Sequence, residues 1–229
     1  MFCFPVRAGK PLFRTTEKTK VGQIPGSIIF AYFYKKNVYD TFQQYLDRKI
    51  ELTNDEKELI RSVSILKKLR KKQYLLQEGD AWKYHAFISK GCMRMYAVDD
   101  KGIEHIIYFG IENWWIGDRE SLLNQTPSRL NIDAIEDCEV VLFTDLNFEM
   151  ICSKIPAFGD MIHAIISKSF NVNQNRILSS ISKSAEEKYL DFIQKYADFA
   201  MRIPQAMIAS YLGIKPETLS RIRNGITKK

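Results

Sequence analysis

The spacing of apolar positions divides the chain into a β-rich middle and a helical last third. Between residues 73 and 146, short runs rich in β-branched and aromatic residues alternate with turn signals every ~8–12 residues, which is typical of an antiparallel sandwich or barrel. The predicted strands include residues 74–76, 85–88, 93–96, 106–109, 130–135 and 140–143. The Asp-Asp-Lys-Gly sequence that ends at Gly102 predicts a hairpin turn between two of them.

Helical periodicity replaces the β pattern after Pro156, over residues 156–182. One apolar row contains Phe158, Ile162, Ile165 and Val172, and a second contains Ile166, Phe170, Ile177 and Ile181. Two rows exceed what one side of a small barrel covers, so we expect the first row to pack on the chain's own barrel. The second row is then expected to pack on another copy of the chain. A long core helix inside a larger domain is the alternative, but few residues remain to surround it.

Start signals for helices complete the division of the chain. Thr53 or Asn54 can cap an early helix, and Ser184 followed by Glu187 forms a capping box. We therefore predict a basic flexible extension over residues 1–37, a β-rich domain over 38–155, a self-association helix over 156–182 and a helical C-terminal domain over 183–229.

The C-terminal domain carries the most specific signal. The sequence from Gln205 to Arg223 predicts two helices joined at Gly213, with Pro216 at the start of the second. Ala209 is small, which permits a close crossing of the two helices. The apolar positions that face the junction are Met207, Ile208, Tyr211, Leu212, Ile214, Leu219 and Ile222. These spacings predict a helix-turn-helix.

The outward positions of the second helix carry polar side chains. They are Lys215, Glu217, Thr218, Ser220, Arg221 and Arg223. Arginine can donate two hydrogen bonds to guanine and glutamate can accept one from cytosine, so the set suits the reading of base edges. A helical hairpin with a solvated charged face is the alternative interpretation.

A β-rich domain, a long helix and the Gly-Ile-Lys-Pro-Glu-Thr-Leu-Ser-Arg segment together resemble the cyclic-AMP receptor protein/FNR (Crp/Fnr) family of bacterial transcription regulators, over about residues 40–223. The resemblance implies an α+β fold: an N-terminal cyclic-nucleotide-binding-like antiparallel β-barrel (jelly roll) that acts as the sensor domain, a long dimerisation helix and a C-terminal helix-turn-helix domain. It also implies base contacts from Glu217 and Arg221 and a phosphate contact from Thr218. Pro216 stands where the family often has an arginine, so we expect a different operator preference.

The implied function is that of a cytoplasmic homodimer that regulates transcription. Its partners would be double-stranded DNA with a pseudo-palindromic operator and RNA polymerase. The rival hypothesis is a ligand-binding module that acts through protein–protein contacts without reading DNA.

The resemblance also suggests an effector pocket. The candidates are Gly117, Asp118, Ser128, Arg129, Asn173 and Gln174. Nucleotide-binding family members hold ribose with a Gly-Glu pair and the cyclic phosphate with an Arg-Ser/Thr pair. Here Ser128 and Arg129 stand in the reverse order, and a shift of one residue along a strand turns a side chain to the opposite face. This disfavours cyclic AMP, and three hypotheses stay open: cyclic AMP, another small effector, or a domain without an effector.

Composition and charge support this class of protein. The 229 residues are 45% apolar and 12% aromatic, which is enough for packed cores. No apolar run approaches the ~20 residues of a transmembrane helix, so we expect no membrane association. Residues 201–229 carry six basic side chains and one acidic, whereas residues 38–200 carry 21 basic and 25 acidic. A basic C-terminal region beside an acidic middle suits contacts with phosphates.

The remaining chemistry argues against an enzyme or a metal protein. The cysteines (Cys3, Cys92, Cys138 and Cys152) form no Cys-x-x-Cys pair, and the histidines (His85, His105 and His163) are isolated. These spacings disfavour zinc, iron–sulfur and haem sites and favour reduced thiols in a cytoplasm. No phosphate-binding loop, dinucleotide fingerprint or nucleophile elbow occurs. We therefore expect no catalytic residues and no metal.

Overall fold

The computed structural model describes residues 38–226, apart from the side chains of residues 198 and 199. The predicted extension over residues 1–37 lies outside the described residues, as do residues 227–229. The helices are α1 (38–47), α2 (Asn54–Ser62), α3 (Arg119–Asn124), α4 (Asp145–Lys154), α5 (Pro156–Ser182), α6 (Ala185–Lys195), α7 (Ala197–Ala200), α8 (Gln205–Leu212) and α9 (Pro216–Ile226). The strands are β1 (Ile65–Leu69), β2 (Tyr74–Leu76), β3 (Tyr84–Lys90), β4 (Met93–Val98), β5 (Glu104–Gly110), β6 (Trp114–Ile116), β7 (Asn131–Ala134) and β8 (Cys138–Thr144). Within this described region, no helix combines the length and the apolar character needed to cross a bilayer.

The strands form two four-stranded antiparallel sheets, with the orders β1-β8-β3-β6 and β2-β7-β4-β5. The predicted hairpin connects β4 to β5. The carboxylate of Asp99 accepts hydrogen bonds from the backbone N–H groups of Lys101 and Ile103, and Gly102 adopts a left-handed φ of 77°. The predicted α+β class with an antiparallel β-barrel is therefore confirmed.

Strand β6 lies between two apolar clusters, and its successive side chains point alternately into one and the other. Trp114 belongs to the cluster between the sheets, whereas Trp115 belongs to a cluster between the β1-β8-β3-β6 sheet and helices α1, α2, α4 and α5. In the second cluster the ring of Phe42 lies 4.8 Å from that of Phe87 and 5.9 Å from that of Trp115, between centroids. Successive residues of a strand face opposite sides, so adjacent tryptophans can serve two cores.

The long helix α5 presents its two predicted apolar rows to different surroundings. Phe158 and Ile162 of the first row are buried, while Phe170, Ile177 and Ile181 of the second row are exposed. Ile166 of the second row is half-buried against the chain's own apolar cluster, so it is the exposed part of this row, from Phe170 to Ile181, that lacks cover from the described part of this chain.

The C-terminal helices pack directly against the barrel. The hydroxyl of Ser210 in α8 accepts a hydrogen bond from the backbone N–H of Ile106 (3.0 Å) and donates one to the carbonyl of Glu104 (2.9 Å). Strand β5 is an edge strand, so α8 satisfies backbone groups that another strand would otherwise pair. The adjacent ring of Tyr211 lies 5.3 Å from that of Phe109. One apolar cluster therefore continues from the barrel into α6, α8 and α9.

Arg202, between α7 and α8, forms ion pairs that connect the C-terminal helices to the barrel. Its guanidinium donates two hydrogen bonds to the carboxylate of Glu112 (2.9 and 3.0 Å) and also bonds to Glu136. Burial alone would raise the pKa of Glu112, but hydrogen bonds from Arg202 and from the backbone N–H of Gly91 lower it below its ordinary value.

We expect this contact between barrel and helices to weaken on acidification. A carboxyl group with a lowered folded-state pKa contributes stability that is complete above its ordinary pKa of 4.5 and is lost as the pH falls through the folded value. Urea unfolding at about pH 7 and about pH 3.5 should therefore show a smaller pH dependence for Arg202→Gln than for the unchanged protein. The control Arg129→Gln, at an exposed arginine away from this contact, should keep the full pH dependence. An equal dependence in all three proteins would contradict the prediction.

Candidate nucleic-acid interface and effector site

Helices α8 and α9 are joined by the three-residue turn 213–215. Gly213 ends α8 with φ 66° and ψ 35°, a left-handed conformation that glycine adopts without steric cost. Its N–H donates to the carbonyls of Ala209 and Ser210, and the N–H of Ile214 donates to Ala209 at 3.0 Å. The turn predicted at Gly213 is confirmed, and Pro216 begins the second helix as expected.

The inner side of this helix pair is apolar and closed. Ile208, Ala209 and Leu219 are fully buried, and the ring of Tyr211 lies 5.6 Å from that of Phe192 in α6. Ala209 leaves room for α9 to approach α8, as its small side chain predicts. Helix α9 is thus held in a fixed orientation by packing on α6 and α8.

The outer side of α9 is polar and open. Five of the six predicted base-reading residues are exposed, namely Lys215, Glu217, Ser220, Arg221 and Arg223, and Thr218 is half-buried. The set contains three basic side chains and one acidic. Docking of α8 on the barrel leaves this face of α9 accessible.

The structure uses two of the effector candidates to cap a helix. Asp118 is the N-cap of α3, and one carboxylate oxygen accepts hydrogen bonds from the N–H groups of Glu120 (3.0 Å) and Ser121 (3.3 Å). The hydroxyl of Ser128 donates to its other oxygen at 2.7 Å. Asp118 and Ser128 are both buried. Their hydrogen-bonding capacity is therefore largely satisfied within the protein.

The remaining candidates do not converge on an anion. The side chain of Arg129 is 84% exposed and lies 3.6 Å from the carboxylate of Glu120. The adjacent pocket is lined by three carboxylates, those of Glu78, Asp118 and Glu120, against the one guanidinium of Arg129. Neither Asn173 nor Gln174 lines it. A cyclic phosphate needs an arginine and backbone N–H groups that point at it, so these residues do not fit a cyclic nucleotide.

Gly117 has a packing role. A Cβ atom at this position would lie 2.6 Å from Nε1 of Trp82, so only glycine lets the indole ring lie against the backbone here. The role implied by the resemblance, contact with a ribose, has no support from this geometry.

Sequence reasoning missed the residues that attach the helices to the barrel. Ser210 bonds to a strand 104 positions earlier, and Arg202 bonds to Glu112, 90 positions earlier. Contacts over such separations leave no local pattern. In the sequence, Arg202 and Ser210 stand out only as polar residues of the C-terminal region that do not belong to the predicted base-reading set.

The histidines take separate roles. His85 pairs with Asp145 (Nε2–Oδ1 2.8 Å) and His105 with Asp99 (Nε2–Oδ2 2.9 Å). Among the side chains that the structure describes, no three His, Cys, Asp or Glu are grouped so that they could hold a metal ion.

Known proteins resemble this chain across both its barrel and its helices. Residues 66–154 match the cyclic nucleotide-binding domain family. The chain is 25% identical over 190 residues to the regulatory protein HlyX of Actinobacillus pleuropneumoniae, with 76% of this chain and 77% of HlyX covered. It is 26% identical over 188 residues to the fumarate and nitrate reduction regulatory protein of Yersinia pestis, with 76% and 74% covered.

A solved structure from Eubacterium rectale that is assigned to the Crp/Fnr family shares the fold, with a TM-score of 0.59 at 17% identity, 80% of this chain and 88% of that chain covered. The relatives in sequence are regulatory proteins by name, and their similarity extends well beyond the domain match. With its antiparallel barrel, long helix and terminal helix pair in the expected order, the chain is similar in sequence to these regulatory proteins and shares the fold of a Crp/Fnr family member.

Proposed function

We propose that this protein is a homodimer that binds double-stranded DNA sequence-specifically through α9 and regulates transcription in the cytoplasm. The observation that carries the proposal is the division of α9 into a buried apolar side and an accessible polar side. In this proposal residues 38–155 form the sensor region, 156–182 the dimerisation helix and 183–229 the DNA-binding region. RNA polymerase is the expected further partner.

The spacing of polar groups on α9 suits the major groove. Glu217 and Arg221 are four residues apart, so they lie on the same face about one turn from each other. Arg221 can then donate two hydrogen bonds to a guanine while Glu217 accepts one from a cytosine amino group. Thr218 and Lys215 lie in or just before the first turn of α9, where N–H groups and the helix dipole favour a phosphate.

The proposal predicts a specific loss for Arg221→Ala. Removal of a guanidinium that contacts a base is expected to weaken binding to the operator by about 1–3 kcal/mol, with little effect on non-specific DNA. Genomic footprinting first identifies the operator, and fluorescence anisotropy then measures the affinity for it. Arg129→Ala, which removes an exposed guanidinium from the barrel, should leave the affinity unchanged. Equal affinities for Arg221→Ala and the unchanged protein would remove Arg221 from the readout.

Salt dependence separates this function from docking of the terminal helices on another protein. A DNA complex releases counterions, so the logarithm of the affinity should fall linearly with the logarithm of the salt concentration, by ~0.9 per phosphate contacted. An apolar docking surface responds weakly to salt. A flat salt profile for the partner bound by α9 would favour the docking hypothesis.

The sensor region is proposed to take a small effector other than cyclic AMP. The excess of carboxylates around Asp118 supports this view, because it repels the phosphate that a cyclic nucleotide would bring. An effector that favours one arrangement of α6–α9 against the barrel would shift a pre-existing equilibrium between DNA-binding and non-binding states.

A further inference from the structure

A second cavity of about 390 Å³ lies on the outer side of the β3–β6 edge of the barrel, enclosed by α3, α4 and α5. It shares no lining residue with the pocket at Asp118. Its walls are largely aromatic and aliphatic, from Trp82, Tyr84, Trp115, Phe148, Ile162 and Ile166. The volume falls in the ~300–1,000 Å³ range of small-molecule sites.

The polar group in the wall, His85, is held in place by two neighbours. Its ring stacks on Phe148 with the centroids 3.7 Å apart and the planes at 5°, and its Nε2 lies 2.8 Å from the carboxylate of Asp145. Burial lowers the pKa of His85, although Asp145 acts in the opposite direction. The imidazole is therefore neutral at pH 7 and donates its Nε2–H to Asp145.

A second polar group, the indole N–H of Trp82, has no partner in the described chain. The ring lines the cavity, and its Nε1 has no acceptor among residues 38–226. Nε1 packs beside Gly117, where a Cβ would lie only 2.6 Å from it, and both residues line the cavity. Unlike the buried, unpartnered Nε1 of Trp115 in the same wall, the Nε1 of Trp82 is not fully sealed from solvent, so a ligand that supplies an acceptor can replace water at this point.

Charged side chains occur only at the mouth of the cavity. Arg119, Glu149 and His163 line it and are exposed, and Asp145 is half-buried and bonded to His85. No unpaired ion faces the interior, so a charged ligand would lose its hydration without gaining a counter-ion.

We propose that this cavity binds a neutral, mainly apolar ring compound that accepts a hydrogen bond from the Trp82 indole N–H. The site goes beyond the proposed DNA-binding function and does not depend on it, because ligand binding is measured directly on the protein. An anion, a cation or a second copy of the chain are the competing occupants, and each gives a different result in the test.

The test uses four ring probes of similar shape on the full-length protein, with dissociation constants measured by ligand-observed NMR. Quinoline is neutral and carries an acceptor, naphthalene is neutral and lacks one, N-methylquinolinium is a cation and 2-naphthoate is an anion. Quinoline should bind at least about threefold more tightly than naphthalene, as expected for one hydrogen bond. Both charged probes should bind at least about tenfold more weakly than quinoline.

Two matched variants place the binding in this cavity. Leu123 lines the mouth and is 61% exposed, whereas the next residue, Asn124, is exposed and lies outside the lining. Leu123→Trp should weaken quinoline by about tenfold or more, and Asn124→Trp should leave its affinity unchanged. Trp82→Phe should abolish the preference for quinoline over naphthalene, with the fold of each variant checked by circular dichroism.

Several results would overturn the proposal. They are the absence of quinoline binding, binding that Leu123→Trp leaves unchanged, and charged probes that bind as tightly as quinoline. Quinoline binding seen only in a monomeric variant would also overturn it, because a second copy of the chain would then fill the cavity.

Discussion

Arg94→Ala is expected to lower the free energy of unfolding by about 3–5 kcal/mol, because it leaves a buried carboxylate without its cation. Arg94 is 9% exposed and Asp133, directly opposite it on the neighbouring strand, is 6% exposed. Their side chains form two parallel hydrogen bonds of 2.8 Å. The guanidinium also bonds to Glu104 of β5 and lies 4.1 Å from the ring centroid of Tyr96. One arginine thus connects β5, β4 and β7.

Urea unfolding monitored by circular dichroism measures the effect. Glu104→Gln removes the more exposed partner and should cost less than about 1 kcal/mol. The double variant Arg94→Met with Asp133→Leu removes both buried charges, so it should recover much of the stability that Arg94→Ala loses. A loss below about 1 kcal/mol for Arg94→Ala would show that solvent already compensates Asp133.

Local signals in the sequence predicted much of this fold. The capping box predicted at Ser184 and Glu187 forms at the start of α6, and Thr53, one of the two predicted caps, accepts a backbone hydrogen bond at the start of α2. The left-handed turn at Gly213 follows in the same way from glycine's freedom. In each case the residues that decide the conformation lie within a few positions of one another.

Elements decided by distant partners were missed. Strand β6 is buried on both faces, so its Trp-Trp-Ile run shows no alternation and was not predicted as a strand. Strand β1 and helix α4 were also not predicted. Strand β1 pairs with β8, which is distant in sequence, and α4 directly follows β8. The docking of α8 on β5 depends on a hydroxyl bonded to backbone groups of an edge strand, which no pattern of apolar residues indicates.

The candidate sites likewise divide into features set by nearby residues, which could be predicted, and features set by distant residues, which could not. The outward face of α9 could be predicted because helical periodicity alone separates Arg221 from Leu219. The pairing of Asp118 with Ser128 could not, since it depends on how α3 returns toward β7. The structure accounts for both residues as parts of a helix cap, so they are weak evidence for an effector at that position.

Ile177→Asp is expected to convert the protein to a monomer and to weaken operator binding by about 100-fold or more. Ile177 and Phe170 are each 61% exposed, and Ile181 is 79% exposed, on the side of α5 that faces away from the barrel. A contiguous apolar row of this kind marks an interface, and a buried carboxylate without a partner would disrupt it. Sedimentation velocity measures the mass, and fluorescence anisotropy measures the affinity for the operator.

The loss of affinity follows from the two-fold arrangement. In a dimer, binding of one α9 places the other near the second half-site about 34 Å away, so the second event is intramolecular. Such linkage raises the overall affinity by ~10²–10⁴ without any new contact, and a monomer loses that gain. The DNA-contacting residues of α9 are unchanged in this variant, so its affinity for a single half-site should equal that of the unchanged protein.

Asn175→Asp supplies the matched control, because Asn175 is an exposed residue of α5 on a side away from Ile177. It introduces the same charge into the same helix and should leave both dimerisation and operator affinity intact. A dimeric Ile177→Asp protein would contradict the assignment of this row to the interface. If Ile177→Asp is monomeric but binds the full operator as tightly as the unchanged protein, the operator is not read by two linked α9 helices. The two outcomes therefore test self-association and DNA recognition separately.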